Sequence, residues 1–261
     1  MNIDLKDKVG IVTGAGAGIG REIALTLARE GVKTVCLDMD ENRLADLKGV
    51  FADGGFAGMY LACDVRDEDQ VADVIGKIND EYGRIDILVN NAGVAKGGPV
   101  EDLPAERWDL NFDVNTKGTF LMSKAVVPIM KKQRSGRIIN AASFAAIVPS
   151  VGGAAYAASK YAVVSFTRVL ASELGPWDIT VNCYAPGMIP TGMNNFDKLP
   201  PEKAEQMLGM LTLRRWGAPQ DVANLVCFLA SDLASYITGT LVDVSGGKLA
   251  TQRPYVAYDD A

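Results

Sequence analysis

Short runs of β-branched residues alternate with longer segments of helical period along nearly the whole chain. The first two cycles consist of a strand at Val9–Thr13 with a helix over 19–30, and a strand at Lys33–Asp38 with a helix over 41–51. Such alternation is typical of βαβ units, in which helical crossovers join parallel strands. The pattern therefore favours an α/β fold over all-helical and all-β folds.

The same alternation continues to the end of the chain. Further strands are predicted over 57–63, 85–90, 137–143, 179–184 and 241–244, and further helices over 68–82, 105–132, 154–174 and 221–230. Seven strands with intervening helices predict a single-domain, doubly wound Rossmann fold with helices on both faces of a parallel sheet. We expect a dinucleotide-binding catalytic domain over 1–247, with a variable substrate loop at about 186–216, and a C-terminal tail over 248–261 that is either frayed or docked on another subunit.

The chain contains no histidine. This absence removes Ser-His triads, Cys-His pairs and the usual zinc sites, so no metal is expected and proton transfer must use Tyr, Lys, Asp, Glu or Cys. A net charge of −6 argues against nucleic-acid and anionic-lipid partners. No signal peptide or apolar run of membrane length is visible, and the four scattered cysteines are interpreted as reduced thiols, so we expect a soluble cytoplasmic protein.

A glycine-rich turn follows the first predicted strand and leads directly into a helix. Its glycines are Gly14, Gly18 and Gly20, a spacing that departs from G-x-G-x-x-G because Ile19 stands where the last glycine belongs. Glycines at such a turn let backbone N–H groups approach a pyrophosphate at the helix N-terminus. The turn therefore predicts a dinucleotide ligand, and the alternative is a turn with a structural role alone.

Asp38 ends the second predicted strand. A carboxylate at this position accepts hydrogen bonds from the adenosine ribose hydroxyls and repels a 2′-phosphate. No Arg or Lys lies between Gly14 and Gly20, or immediately after Asp38, to bind an additional phosphate. The sequence thus favours NAD over NADP, and the alternative is that Asp38 caps the helix that begins near Glu41.

Several motifs together resemble those of the short-chain dehydrogenase/reductase family: the turn from Thr13 to Gly20, the Asn-Asn-Ala-Gly segment at 90–93, Ser143, and the Tyr-Ala-Ala-Ser-Lys segment at 156–160. The resemblance covers nearly the whole chain. It implies hydride transfer between a nicotinamide and a secondary alcohol or its ketone, as in the family's 3-oxoacyl reductases and its NAD-dependent alcohol or polyol dehydrogenases.

Asp38 separates the possible activities, because the family's biosynthetic reductases mostly favour NADP. An NAD-dependent secondary-alcohol, polyol or sugar dehydrogenase is therefore the main prediction, and a 3-oxoacyl thioester reductase is the alternative. A non-catalytic nucleotide-binding relative is a further alternative of another class. Such relatives typically lack the tyrosine or the lysine of the motif, and both residues are present here.

The resemblance implies catalytic roles for four residues. Tyr156 corresponds to the family's proton-transfer group, Lys160 to the lysine that also binds the nicotinamide ribose, Ser143 to the serine that positions the substrate oxygen, and Asn115 to the asparagine that holds a relay water. Tyr156 and Lys160 are four residues apart, so one helical turn places them on the same face. Because a phenol has a pKa of about 10, we expect Lys160 and an oxidised nicotinamide to lower the pKa of Tyr156.

The cofactor contacts implied by the turn, by Asp38 and by the resemblance form a larger set: Gly14, Gly18, Ile19, Asp38, Asp64, Val65, Asn91, Gly93, Tyr156, Lys160, Pro186, Ile189 and Thr191. Asp64 could instead cap the helix that starts near Glu68, and Thr191 could be an ordinary loop residue. The substrate is expected to contact the loops over 94–100, 144–153 and 188–213, where Lys96 is interpreted as a solvated lysine rather than as an anion ligand.

Assembly is predicted by analogy alone. Family members of this length are commonly tetramers, so we expect a homotetramer paired through the helices over 105–132 and 154–174. We also expect the tail residues 253–258 to cross to a neighbouring subunit, because their Tyr and Val side chains would otherwise have little to pack on.

Overall fold

The computed structural model describes residues 3–194 and 196–258. Within these ranges seven parallel strands form one sheet in the order β3-β2-β1-β4-β5-β6-β7. The strands are β1 (Val9–Thr13), β2 (Lys33–Asp38), β3 (Gly58–Ala62), β4 (Ile87–Asn90), β5 (Gly136–Ala141), β6 (Ile179–Pro186) and β7 (Leu241–Val244). This topology confirms the predicted doubly wound α/β fold.

Helices cover both faces of the sheet. They are α1 (Gly18–Arg29), α2 (Glu41–Asp53), α3 (Glu68–Tyr82), α4 (Ala105–Phe112), α5 (Gly118–Gln133), α6 (Ala154–Leu174), α7 (Pro201–Leu208) and α8 (Pro219–Ala230). One hydrophobic cluster includes residues of α1, α2 and α8, a second includes residues of α3, α5 and α6, and a small third one contains Val164 of α6. Every residue of β1 and of β4 is buried, as expected for strands covered on both sides. Across the described ranges, every helix is too short or too polar to cross a lipid bilayer.

The predicted helix over 105–132 is not continuous. It is divided into α4 and α5 by one π-helical turn at Asp113–Lys117. Single π turns inside helices are frequent at functional sites. Here the turn contains Asn115, whose side chain bonds both backbone groups of Val94: its Oδ1 accepts from the Val94 N–H at 2.8 Å and its Nδ2 donates to the Val94 carbonyl at 2.9 Å. Helical periodicity does not distinguish such a turn from a regular one.

The strand order reverses between β1 and β4, so the connections that follow these two strands diverge. A crevice outside the carboxyl ends of the strands forms at such a switch point and is the usual ligand site of open α/β sheets. The glycine-rich turn follows β1 there, and the segments that contain Asn91, Ser143 and Ile189 follow β4, β5 and β6. The fold therefore brings the predicted site residues to one edge of the sheet.

Candidate active site

The glycine-rich turn leads into α1, whose first backbone N–H groups have no side-chain cap. Gly14 and Gly18 have φ of 64° and 55°, in the left-handed region that other residues rarely adopt. Ala17 precedes α1 without a side-chain hydrogen bond to the helix, and the first turn of α1 contains no acidic residue. The first amides of α1 are therefore available to an anion, which fits the phosphates of a dinucleotide.

Asn91 fastens this turn to the sheet. Its Nδ2 donates to the Thr13 carbonyl at 3.1 Å, its backbone N–H donates to Thr13 Oγ1 at 3.0 Å, and its Oδ1 accepts from the buried Tyr184 hydroxyl at 3.1 Å. The side chain of Asn91 is thus engaged within the protein, and its predicted contact with a cofactor stays a prediction. Nothing in the local sequence marks Tyr184 as its partner, since 93 positions separate the two residues.

Gly20 lies against the same contacts. A Cβ at this position would lie well inside van der Waals distance of the Gly14 carbonyl oxygen and the Asn91 amide nitrogen. We expect Gly20→Ala to lower the free energy of unfolding by about 1–3 kcal/mol, because the turn must shift to relieve the overlap. NADH affinity should fall by about tenfold for the same reason. Chemical denaturation and a fluorescence titration with NADH measure the two effects.

Gly49→Ala on α2 is the matched control. A Cβ there would meet no atom within 4 Å, so the substitution should raise stability by up to about 1 kcal/mol through helix propensity. Equal effects of the two alanine variants on NADH affinity would contradict the proposed tight turn.

Asp38 is buried beside the turn, with 8% of its surface exposed. Its Oδ2 accepts from the Gly16 N–H at 2.9 Å and its Oδ1 accepts from the Asp40 N–H at 3.0 Å. Each carboxylate oxygen retains a lone pair, so the group can still accept hydrogen bonds from ribose hydroxyls. The helix cap considered as an alternative is provided by Asp40 instead, whose side chain accepts from the first amides of α2.

Arg43 lies close to this position, although only the residues immediately after Asp38 entered the prediction. A Cβ on Gly16 would lie 2.6 Å from Arg43 Cβ. The Arg43 guanidinium pairs with Asp40 at 3.2 Å, and its side chain is more than half exposed. The charge next to the turn is therefore the buried carboxylate of Asp38. The guanidinium of Arg43 is exposed and already paired with Asp40.

Asp64 does not cap α3. Asp67 caps that helix, and Asp64 forms an ion pair with Arg66, whose Nε donates to Asp64 Oδ1 at 2.9 Å. This hydrogen-bonded pairing lowers the pKa of Asp64 below its usual range. Val65 is buried, and its side chain packs where a Cβ on Gly118 would lie. Both residues follow the carboxyl end of β3, and their contact with an adenine stays a prediction.

The segment after β6 crosses in front of the turn. Ile189 is buried, and Thr191 Cγ2 lies 3.4 Å from the position that a Cβ on Gly18 would take. Asn194 holds this segment, because its Nδ2 donates to the Ile189 carbonyl at 2.8 Å and its Oδ1 accepts from the Thr191 N–H at 3.1 Å. The segment therefore forms the far wall of the cleft over the start of α1.

Lys160 is buried in the centre of the site, with 4% of its surface exposed. Its Nζ donates to the Ala141 carbonyl at 2.8 Å and lies 5.9 Å from the centroid of the Tyr156 ring. A Cβ on Gly93 would lie 3.2 Å from this Nζ and 3.1 Å from Asn115 Oδ1. The structure thus gathers Gly93, Asn115, Tyr156 and Lys160 at the carboxyl ends of β4 and β5.

Burial dominates the pKa shifts of Tyr156 and Lys160. Burial raises the pKa of Tyr156 above 10.0, and the neighbouring Ser143 hydroxyl opposes that rise in part. Burial also lowers the pKa of Lys160 to about 8. For the Tyr156 phenol, desolvation therefore outweighs the Ser143 hydrogen bond, and the Lys160 ammonium is directed to the Ala141 carbonyl. The lowering of this pKa by Lys160 together with an oxidised nicotinamide stays a prediction.

Asn115 is fully engaged. Besides its two bonds to Val94, its Nδ2 donates to Ser159 Oγ at 2.9 Å, and that hydroxyl donates to the Tyr156 carbonyl at 2.8 Å. The side chain thus ties the segment after β4 to the helix that carries Tyr156 and Lys160. Its role as the holder of a relay water stays a prediction, and Ser159 is a contact that local sequence did not single out.

The C-terminal tail packs on its own chain within the described residues. Pro254 is buried, and the Tyr258 hydroxyl donates to the Thr212 carbonyl at 2.7 Å. Arg214 lies over the Tyr258 ring at 5.2 Å. The tail therefore covers the segment after α7, and its predicted contact with a neighbouring subunit stays a prediction.

Comparisons with known proteins extend over the same residues. A family model described as enoyl-(acyl carrier protein) reductase matches residues 14–248. The chain is 40% identical over 244 residues to the 3-oxoacyl-acyl-carrier-protein reductase FabG of Thermotoga maritima, covering 93% of this chain and 98% of that protein. It is 37% identical over 244 residues to BbsD, a subunit of a hydroxy(phenyl)methylsuccinyl-CoA dehydrogenase from Thauera aromatica, covering 94% of this chain and 97% of that protein.

A solved structure from Beutenbergia cavernae, assigned as an NAD(P) dependent gluconate 5-dehydrogenase with NADP bound at low occupancy, superimposes with a TM-score of 0.90. The identity is 35%, and the match covers 95% of this chain and 99% of that chain. The likeness to known proteins therefore includes the turn, the central cluster and the segment after β6.

Proposed function

The chain belongs to the short-chain dehydrogenase/reductase family, and on that premise we propose that it interconverts a ketone and a secondary alcohol, with 3-oxoacyl thioesters as the first candidate substrates. The observation that carries the reaction is the cluster of Ser143, Tyr156 and Lys160 on the same side of the sheet as the uncapped start of α1. The 3-oxoacyl substrates are supported by the names of the similar curated proteins. They correspond to the alternative from the sequence rather than to its main prediction.

Each residue of the cluster has its own role at the substrate oxygen. A bound nicotinamide supplies the donor or acceptor of the hydride. In reduction, the Tyr156 hydroxyl donates its proton to the carbonyl oxygen, and in oxidation the phenolate takes that proton from the alcohol. The Ser143 hydroxyl donates a hydrogen bond to the same oxygen as its negative charge develops. The Lys160 ammonium stabilises the phenolate form of Tyr156 and is held in place by the Ala141 carbonyl.

NAD is the proposed coenzyme, and Asp38 supports it. Its buried carboxylate lies against Gly16, where a 2′-phosphate would meet a negative charge at short range. We expect kcat/KM with NADH to exceed that with NADPH, and Asp38→Ser to lower the ratio by about 10- to 100-fold through the loss of hydrogen bonds to a charged group. Initial rates with both coenzymes measure this ratio.

Asp53→Ser removes the same charge at the exposed end of α2 and serves as the control for Asp38→Ser. Its coenzyme ratio should equal that of the wild type. A wild-type preference for NADPH would overturn the assignment of NAD, and the Beutenbergia cavernae structure makes that comparison necessary.

A secondary-alcohol or polyol dehydrogenase remains the second candidate, because Asp38 favours the coenzyme of oxidative enzymes and because the solved gluconate 5-dehydrogenase-like structure is similar throughout. Coupled absorbance assays separate the two candidates. Reduction of acetoacetyl-CoA with NADH supports the thioester assignment. Turnover of polyols or simple secondary alcohols without turnover of the thioester supports the dehydrogenase, and the absence of any turnover contradicts both.

The remaining assignments concern assembly, organisation and compartment. We propose a homotetramer paired through α5 and α6, supported by the exposed Phe120, Tyr161 and Val169 on these helices. The catalytic unit is proposed to be residues 1–247, with 248–261 as the tail. A cytoplasmic location is supported by four buried cysteines that form no disulfide.

A further inference from the structure

Lys248 is fixed between two segments that border the substrate side of the site. It follows β7 through a turn at Gly246 and Gly247, and its backbone N–H donates to Ser245 Oγ at 3.1 Å. It forms an antiparallel bridge with Leu211, and the next residue, Leu249, donates to the Met210 carbonyl at 3.0 Å. The backbone of Lys248 is thus held against the segment after α7.

The Lys248 side chain points towards the other segment. Its Nζ lies 4.8 Å from the centroid of the Phe144 ring, and Phe144 is the residue after Ser143. Lys248 is only partly exposed, whereas Phe144 is buried. The ammonium group therefore lies on the ring of the residue that follows Ser143 in the chain.

The charge of Lys248 has no carboxylate partner among the side chains that the structure describes. Burial lowers the pKa of Lys248, and none of the described acidic groups opposes that effect. A partly desolvated ammonium is costly unless it is paired, so an anion arriving at this position would recover part of the lost solvation.

We propose that Lys248 binds an anionic group of the substrate, a carboxylate or a phosphate, and so selects charged ketones and alcohols. This inference rests on the proposed oxidoreductase function and adds the substrate class to it. A solvated surface lysine would extend into water. The backbone of Lys248 is instead held by a hydrogen bond to Ser245, and its side chain covers the buried ring of Phe144. The charge is thus in place before the substrate arrives.

Matched substrate pairs test the inference kinetically. The pairs are 3-oxobutanoate with its methyl ester, and hydroxyacetone phosphate with hydroxyacetone, so that the carboxylate and phosphate sources are distinguished. In Lys248→Met, which keeps an unbranched apolar chain over Phe144, kcat/KM for one or both anionic members should fall by about 10- to 100-fold. The neutral members should change by less than about twofold, and Lys248→Arg should retain the preference for the anion.

Lys131→Met is the matched control, because the Lys131 ammonium lies 3.9 Å from the centroid of the Trp177 ring, near the opposite edge of the sheet. It should leave both members of each pair unchanged. Equal losses for anionic and neutral members of Lys248→Met would indicate a purely structural lysine and overturn the inference. An unchanged kcat/KM of Lys248→Met for both the anionic and the neutral members would also overturn the inference.

Calorimetry separates this inference from the proposed function. Glutarate and inorganic phosphate are titrated into the NADH-loaded protein, and at least one should bind the wild type about tenfold or more tightly than Lys248→Met. No binding to the wild type, or equal binding to both proteins, overturns the inference. Binding through Lys248 without turnover of any ketone refutes the proposed function alone, and turnover of neutral ketones without an effect of Lys248 refutes the inference alone.

Discussion

Tyr156→Phe is expected to lower kcat by about 10²- to 10⁴-fold in both reaction directions, which is the range that positioned acid–base groups contribute. The substitution removes one hydroxyl and leaves the ring, so the packing of α6 and the contacts of Lys160 should persist. NADH affinity should therefore change little. Single-turnover rates followed at the reduced-nicotinamide absorbance band, together with a fluorescence titration of NADH, measure the two quantities separately.

Tyr236→Phe gives the matched control. Tyr236 follows α8, far along the chain from the site residues, and it is fully exposed. Loss of its hydroxyl should leave kcat unchanged. A Tyr156→Phe protein with near-normal turnover would show that another group supplies the proton and would remove the basis of the mechanism.

The pH dependence of the wild type follows from the environment of the same phenol. Burial raises the pKa of Tyr156, so at neutral pH the hydroxyl is protonated and is ready to donate. Reduction should therefore proceed well at neutral pH, whereas oxidation, which needs the phenolate, should accelerate as the pH rises. The Tyr156→Phe variant should not show this acceleration.

Much of the fold could be predicted because its cause is local. The parallel strands are covered on both faces, so they appear in the sequence as continuous apolar runs, and the bounds of β1, β2 and β7 agree with the prediction. The π turn at Asp113–Lys117 could not be predicted in the same way. It is accompanied by a bond from Asn115 to Val94, 21 positions away, and helical periodicity carries no trace of that contact.

In the candidate site, too, local patterns could be predicted and contacts between distant residues could not. The glycine-rich turn and the Tyr156–Lys160 spacing are local patterns, and the structure places these residues at one edge of the sheet. The engagement of Asn91 by Tyr184 and the approach of Lys248 to Phe144 join distant parts of the chain. The expected acidity of Tyr156 stays a prediction, because it includes the charge of an oxidised nicotinamide. The burial that raises the pKa of this phenol in the protein is a property of the tertiary structure and could not be predicted from the local sequence.

Lys160→Met is expected to abolish most activity and yet stabilise the protein. The pKa of Lys160 is about 8 in the folded protein and 10.5 ordinarily, so below pH 8 the folded state carries the full cost of the buried ammonium. That cost is about 3 kcal/mol at roughly 1.4 kcal/mol per pKa unit. Loss of the hydrogen bond to the Ala141 carbonyl offsets about 1–2 kcal/mol of the gain. The coenzyme-free variant should therefore be more stable at pH 7 by about 1–2 kcal/mol.

The pH dependence of this difference identifies its cause. As the pH rises from 8 through 10.5, Lys160 of the wild type loses its proton, and the unfavourable free energy of the buried ammonium disappears. The neutral amine keeps its hydrogen bond to the Ala141 carbonyl. The advantage of Lys160→Met should therefore shrink and vanish near pH 10, which urea denaturation of both proteins at pH 7 and pH 10 measures. Lys48→Met at an exposed position of α2 should be within about 0.5 kcal/mol of the wild type at both pH values. A stability difference that is independent of pH would mean that the packing of methionine, rather than the removed charge, stabilises the variant. A variant that is less stable than the wild type at pH 7 would show that Lys160 stabilises the fold as well as serving the reaction.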